Sequence, residues 1–202
     1  MHGKCSLINK MAGDYEEKFK SLKTYFGYMM AHPGKKLLFM GGEFAQFIEW
    51  NYKQGLDWLL LDYPAHKNMQ TYVRDLNRFY KEEAAFFDYD TSPESFRWTV
   101  VDDNTQNVFA FVRISKEGER VLCVFNMSPV TRCGYCIGVS EKGSYKAVFD
   151  SESKKYGGPR GAFRVSATKG SYHGEPYHLT LDIPAYSAVY FKKSSSKKEE
   201  KE

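Results

Sequence analysis

The sequence predicts two structural classes in succession: a piece of an α/β fold, then an antiparallel β-sandwich. Three observations carry that prediction. Apolar residues before Ser92 recur at helical spacing, and after it they alternate with period two. The connections on either side of the single apolar run between the helices also differ greatly in length.

Asp14 and Glu17, three residues apart, have the spacing of a helix-starting capping box. Tyr15, Phe19, Leu22, Phe26 and Met29 then form a helical stripe, which His32-Pro33-Gly34 ends because Pro cannot continue a helix. Leu37-Leu38-Phe39-Met40 is apolar on both sides, the pattern of a parallel strand buried between layers. A second helix presents Met69, Tyr72, Val73, Leu76, Phe79 and Tyr80 on one face. The link into the apolar run is short, His32 to Lys36, whereas the link leaving it runs from Gly41 to about Ala65. Loops of that length inside a compact domain are usually functional. This one mixes Phe44, Phe47, Trp50, Tyr52, Trp58 and Tyr63 with Glu43, Gln46, Glu49, Asp57 and Asp62. Flat rings beside carboxylates and amides suit sugars, which offer apolar C–H faces and hydroxyls, and they equally suit a loop with a small core of its own.

From Ser92 the strands follow in order: 96–101, 108–114 and 121–125, separated by the turn-forming stretches 102–107 and 115–118. Further strands are expected at 135–139, 145–149, 177–183 and 188–192, with a loop at the glycines and proline of 156–161. Strands so spaced, with no helix between them, indicate a sandwich. Residues 194–202 carry three Lys and three Glu without an apolar anchor, and are expected to be a disordered tail.

Composition narrows the function. The chain has 202 residues, 42% hydrophobic, with 15 Tyr, 15 Phe and 3 Trp, which excludes wholesale disorder. No apolar run reaches the ~20 residues of a membrane span. The formal charge of +4 is mild and scattered, so neither nucleic acid nor membrane is an expected partner. Four cysteines do not make a disulfide scaffold, and a cytoplasmic location is expected. Cys133-Gly-Tyr-Cys136 has the spacing of a redox or zinc half-site, but no second pair follows, so no metal site is expected. His32 reads as a helix-end residue, His2 as a histidine without a partner, and Asn126-Met-Ser128 as an idle glycosylation sequon.

The stretch Met30-Ala-His-Pro-Gly-Lys-Lys-Leu-Leu-Phe-Met-Gly-Gly-Glu-Phe44, with Gln46 and Glu49-Trp50, resembles the bacterial 1,4-α-glucan (glycogen) branching enzymes of the α-amylase type. So do Gly55-Leu-Asp-Trp58, the opening His2-Gly-Lys-Cys-Ser-Leu-Ile, Val73-Arg-Asp-Leu-Asn77 and Val124-Phe-Asn-Met-Ser-Pro129. Ala45 stands where the family usually has Gly.

The resemblance implies that residues 1–91 are the last helix–strand–helix part of a (β/α)8 catalytic barrel and 92–193 its C-terminal all-β domain. On that reading 36–40 is barrel strand eight; without strands seven and one, Leu37–Met40 is expected to expose apolar side chains and unpaired backbone edges, while Leu38 and Phe39 stay packed against the helices. The residues 92–193, by contrast, can close their own core. It further implies a glycosyltransferase of glycogen biosynthesis that takes α-glucan, needs no cofactor and is monomeric when complete. Such a retaining transfer uses a carboxylate nucleophile and a carboxylic acid/base about 5–5.5 Å apart. In the family both, and a third acidic residue, lie upstream of the position of residue 1, so no catalytic residue is expected here and the chain alone is expected to be inactive. Met1 stands where the family generally has Val, and a GTG codon can be read as a start, which points to a truncated reading of a longer gene. Glu43, Gln46, Trp50 and Trp58 are the candidate substrate-binding residues. The alternatives are a related α-amylase-type hydrolase or debranching enzyme, and a non-catalytic glucan-binding β-sandwich.

Overall fold

A computed structural model describes residue 3 and residues 5–194; His2 and the tail 195–202 lie outside the described residues. Helix α1 spans Tyr15–Ala31 and helix α2 spans Pro64–Glu82. The first begins as its sequence dictates. Asp14 accepts from the Glu17 N–H at 2.9 Å, and the Glu17 carboxylate accepts from the Asp14 N–H at 3.0 Å. Helix α2 starts on Pro64, whose missing N–H costs nothing in a first turn.

The strands are β1 Phe96–Val100, β2 Val108–Ile114, β3 Arg120–Asn126, β4 Arg132–Val139, β5 Ser144–Asp150, β6 Arg164–Ser166, β7 Thr168–Tyr172, β8 Glu175–Ile183 and β9 Ser187–Lys193. They form a six-stranded sheet in the order β1-β2-β3-β9-β5-β6 and a three-stranded sheet in the order β4-β8-β7, with every ladder antiparallel. The sequence missed β6 and β7. Both are short and mostly polar, and Gly170 interrupts β7, so neither shows apolar alternation.

Alternation sorts the large sheet into two faces. Val108, Ala110 and Val112 of β2, with Leu122 and Val124 of β3, pack against Ile137, Leu179, Leu181 and Ile183 of the small sheet. That inner core draws only on residues of the β half. Phe111, Phe125, Phe149 and Tyr190 face the other way and join one cluster with Leu22, Phe26, Tyr72 and Leu76 of the helices. The order of layers is therefore helices, six-stranded sheet, three-stranded sheet. Gly27 permits the closest approach: a Cβ there would lie 2.7 Å from that of Ala188 on β9. The Tyr190 hydroxyl donates to the Gly27 carbonyl at 2.5 Å.

One expectation is overturned. Residues 36–40 belong to no ladder, Met40 lies in a turn, and the run is not buried on both sides. Leu38 packs on the helical cluster, whereas Leu37 and Phe39 are 78% and 60% exposed and Met40 is exposed too. Phe39 therefore does not pack against the two helices. The cause is the period of an extended chain: neighbours point to opposite sides, and only one side is covered here. A barrel arrangement is not seen among the described residues.

Candidate functional site

The long loop begins with tight backbone. Gly41 (φ 78°) and Ala45 (φ 60°), both left-handed, flank a single 3-10 turn, Gly42–Phe44. The Gln46 N–H returns to the Gly41 carbonyl at 3.0 Å. Gly41 needs to be glycine twice over, because a Cβ there would also press on the Gln46 side chain at 3.0 Å. At Ala45 the left-handed conformation explains why glycine suits the position.

Gln46 is the inner clamp of the loop. Its side chain is buried, the residue being only 4% exposed. Its amide nitrogen donates to the Ile48 carbonyl at 3.1 Å, and its amide oxygen accepts from the Asp57 N–H at 2.9 Å. Both ends of the amide thus serve the loop backbone and join its two limbs across eleven positions. Trp50 and Trp58 remain 37% and 55% exposed. Trp50 meets Phe39 edge-on, with ring centroids 5.5 Å apart. Trp58 lies over the buried Phe44 at 5.2 Å, tilted by 31°. Glu43 is half-buried and opens onto a cleft of about 490 Å³ against α2, shared with Val73, Arg74, Asn77, Arg78 and Lys81. Of the four candidate residues, the two rings and the carboxylate are thus accessible, and the amide turns inward.

Further residues fix the loop from beneath, and sequence reasoning missed the most important of them. His66, buried in the first turn of α2, donates from Nδ1 to the Phe44 carbonyl at 2.7 Å. Its ring meets Phe19 and Phe47 edge-on, both at 4.9 Å. The available signal was its place on the apolar stripe, three residues before Met69. The Phe47 carbonyl accepts from Ser6 Oγ at 2.7 Å and Asn9 Nδ2 at 2.6 Å, and Glu49 accepts from the Gly3 N–H at 2.8 Å. The N-terminal segment is therefore stitched to the loop.

At the other end of the extended segment, Lys36 donates to the His32 carbonyl and sits over the Tyr80 ring, 5.2 Å from its centroid. Burial pulls its ammonium pKa down to about 8; Asp90 pulls the other way, and Arg113 adds to the lowering. His32 caps α1, and its ring packs with Tyr28, Phe96 and Phe111. Cys133 lies within a register break in β4 and is exposed, and Cys136 lies just beyond it and is half-buried. Among the described residues no three His, Cys, Asp or Glu side chains converge as metal ligands, and no helix is long and apolar enough to cross a membrane.

Comparison with known proteins bears on the whole arrangement. Residues 98–194 match the family model "Alpha amylase, C-terminal all-beta domain". The chain is 48% identical over 195 residues to a 1,4-alpha-glucan branching enzyme GlgB of Halothermothrix orenii, covering 95% of this chain and 31% of that protein. It is 45% identical to the GlgB of Aquifex aeolicus, with the same coverage, and 46% identical to that of Cupriavidus necator, over 94% of this chain and 26% of that one. It thus spans about a third of the length of the curated relatives it matches. In three dimensions it is similar to the catalytic module of the glycogen-degrading pneumococcal virulence factor SpuA, with a TM-score of 0.66 at 12% identity, over 96% of this chain and 35% of that one. It is also similar to Ttha1563 from Thermus thermophilus, with a TM-score of 0.62 at 17% identity, over 94% and 34%. These two likenesses are of fold. The chain is a homologue of the 1,4-alpha-glucan branching enzymes over their C-terminal portion, and residues 98–194 match the all-beta C-terminal domain of the alpha-amylases.

Proposed function

We propose that the chain is the C-terminal portion of a cytoplasmic branching enzyme that moves α-1,4-glucan segments onto 6-hydroxyls. In this reading residues 1–91 complete the catalytic barrel and 92–193 brace it. The loop after Met40 forms one wall of the glucan-binding surface. Trp50 and Trp58 supply flat faces for sugar rings, Glu43 supplies an acceptor for sugar hydroxyls, and Gln46 acts from inside by holding the two limbs of the loop. The nucleophile and the acid/base that a retaining transfer needs come from the preceding part of the enzyme. Residues 1–202 by themselves therefore neither branch nor hydrolyse amylose.

The observation that carries this reading is the exposure of both tryptophans on a loop whose interior is fully engaged. A loop built only to cover its own core would turn these rings inward, since they are its largest apolar groups. The test joins 1–202 to the part of the Halothermothrix orenii enzyme that precedes its matched third. Iodine-complex absorbance and reducing-end release are then followed on amylose. Falling iodine absorbance without new reducing ends supports branching; release of reducing ends instead identifies a hydrolase, and activity of 1–202 alone contradicts the placement of the carboxylates.

A further inference from the structure

His66 reaches out of α2 towards the loop that precedes it. Side chains on a helix lean towards its N-terminus, so the third residue of a helix that starts on Pro64 points past the helix end. There its Nδ1 meets the Phe44 carbonyl at 2.7 Å, and because a carbonyl can only accept, the proton lies on Nδ1. The residue is buried, and its ring sits edge-on to Phe19 and Phe47, which holds it in place. The turn it grips has few other ties. The remaining backbone bonds of 41–46 stay within the start of the loop: Gly42 N–H to the Phe39 carbonyl, Ala45 N–H to that of Gly42, and Gln46 N–H to that of Gly41. Among the described residues, His66 supplies the single hydrogen bond between 41–45 and either helix.

That turn carries the accessible side of the loop. Phe44 is fully buried and supports the exposed ring of Trp58 at 5.2 Å, while Glu43 precedes it in the same 3-10 turn and opens onto the cleft beside α2. Displacing the Phe44 carbonyl would move the floor beneath Trp58 and the turn that bears Glu43 together. From this we infer that His66 is a positioning residue for glucan binding: without touching sugar, its Nδ1–H sets where Trp58 and Glu43 stand relative to each other. This rests on the reading of the loop as one wall of the glucan-binding surface. The donor and the ring of His66 are separable. An Asn side chain places an amide nitrogen at the position of Nδ1 without the ring, and a Phe side chain keeps a ring without the donor. A variant that merely unfolds loses active enzyme and so apparent kcat, whereas displaced binding groups raise KM and leave kcat in place.

The experiment compares His66→Asn, His66→Phe and His66→Leu, both in 1–202 and in its fusion to the preceding part of the Halothermothrix orenii enzyme. Melting temperatures are recorded first, and all assays are run where every variant is folded. Amide exchange at 42–46 is read in 1–202 by mass spectrometry. In the fusion, KM and kcat on amylose are followed by iodine-complex absorbance, and maltoheptaose affinity by calorimetry. Exchange at 42–46 should quicken about tenfold in His66→Phe and His66→Leu and stay near the parent's rate in His66→Asn. In the same two variants KM should rise about three- to tenfold, the size of one lost ring contact, with kcat within about twofold. His66→Asn should return KM to the parent's value. Exchange or KM unmoved by His66→Phe would overturn the inference. So would a KM raised in all three variants, or one that follows melting temperature rather than the donor. The proposed function fails separately. A parent fusion that binds maltoheptaose without branching defeats that function, and affinity then decides the role of His66 in place of KM. A fusion that branches with a KM indifferent to His66 does the reverse, and one that neither branches nor binds defeats both.

Discussion

Arg113 of β2 and Asp90 of the link between the halves form a salt bridge of 2.6 Å, with the guanidinium fully buried. The remaining donors of Arg113 go to the carbonyls of Ala31 at 2.7 Å, Phe86 at 3.4 Å and Ser95 at 3.4 Å. One side chain thus joins the C-terminal end of α1, the turn after α2 and the approach to β1 to the large sheet. The other oxygen of Asp90 accepts from the Gly34 N–H at 2.8 Å, which fixes the exit from α1. A planar five-donor fork can make this set of contacts and an ammonium cannot.

Arg113→Ala removes the guanidinium from one oxygen of Asp90 and from three carbonyls. Removing one partner of a buried pair costs about 3–5 kcal/mol, and a loss of that size is expected in urea unfolding of 1–202. Arg113→Lys should recover only a minor part of it. A loss below about 1 kcal/mol would place the pair in the class of solvent-screened bridges and remove its role as a clamp.

Lys36 makes stability depend on pH in a defined direction. Its folded pKa, lowered by burial from the ordinary 10.5 to about 8, lies below its value in the unfolded chain. Between those values the unfolded state binds more protons, so this group's contribution to stability increases as pH rises from about 8 towards 10.5. Lys36→Met removes the charge and keeps the stem. The melting-temperature gap between variant and parent should therefore be most in the variant's favour near neutral pH and should shift towards the parent above pH 8. A gap independent of pH between 7 and 10 would show that the ammonium is not desolvated on folding, against the lowered pKa.

The left-handed pair around the 3-10 turn predicts opposite responses to small substitutions. Ala45 bears a left-handed cost of roughly 1–2 kcal/mol, which Ala45→Gly relieves. The same change gives up about 0.8 kcal/mol of methyl burial and roughly 0.5–1 kcal/mol of chain entropy, so the net effect should be near zero. Gly41→Ala gains no such relief and drives a Cβ onto Gln46. It should lower the unfolding free energy by about 1–2 kcal/mol and loosen the loop. Equal effects at the two positions would contradict the conformations assigned to them.

These residues also show which parts of the structure were legible beforehand. The capping box, the helical stripes and the period-two strands follow from local chemistry, and the structure has the elements they predict. The exposure of Leu37 and Met40 follows from an apolar run without its neighbouring strands, whereas the outward turn of Phe39 does not, because an apolar run does not say which of its residues meets the helices; Leu37 and Leu38 look alike in sequence and differ in burial. The role of Gln46 within the loop was not legible for a different reason. An amide among aromatic residues suits ligand and backbone equally, and its backbone partner, the Asp57 N–H, lies eleven positions away. Arg113 did leave a trace, as a charged residue on the side of β2 shared by Phe109 and Phe111, yet only the fold assembles its four partners.

The two tryptophans should separate binding from packing. Trp58 rests on Phe44, a ring with no exposure at all, so its removal uncovers part of the loop's interior. Trp50 touches Phe39, which is itself exposed, so its removal uncovers little in 1–202. Trp58→Ala should therefore destabilise 1–202 measurably, by about 1 kcal/mol or more, and Trp50→Ala by less than about 0.5 kcal/mol, the usual range for surface changes. In the fused enzyme each loss should weaken maltooligosaccharide binding by roughly 0.5–1.5 kcal/mol if the rings stack on sugar. Calorimetric titration and urea unfolding of the same variants supply both numbers. A Trp50→Ala variant with full affinity and a large stability loss in the fusion would mean that the ring is covered by the preceding portion of the enzyme rather than by glucan. Unchanged affinity in both variants would withdraw the loop from the binding surface and leave Glu43 without an aromatic neighbour to work with.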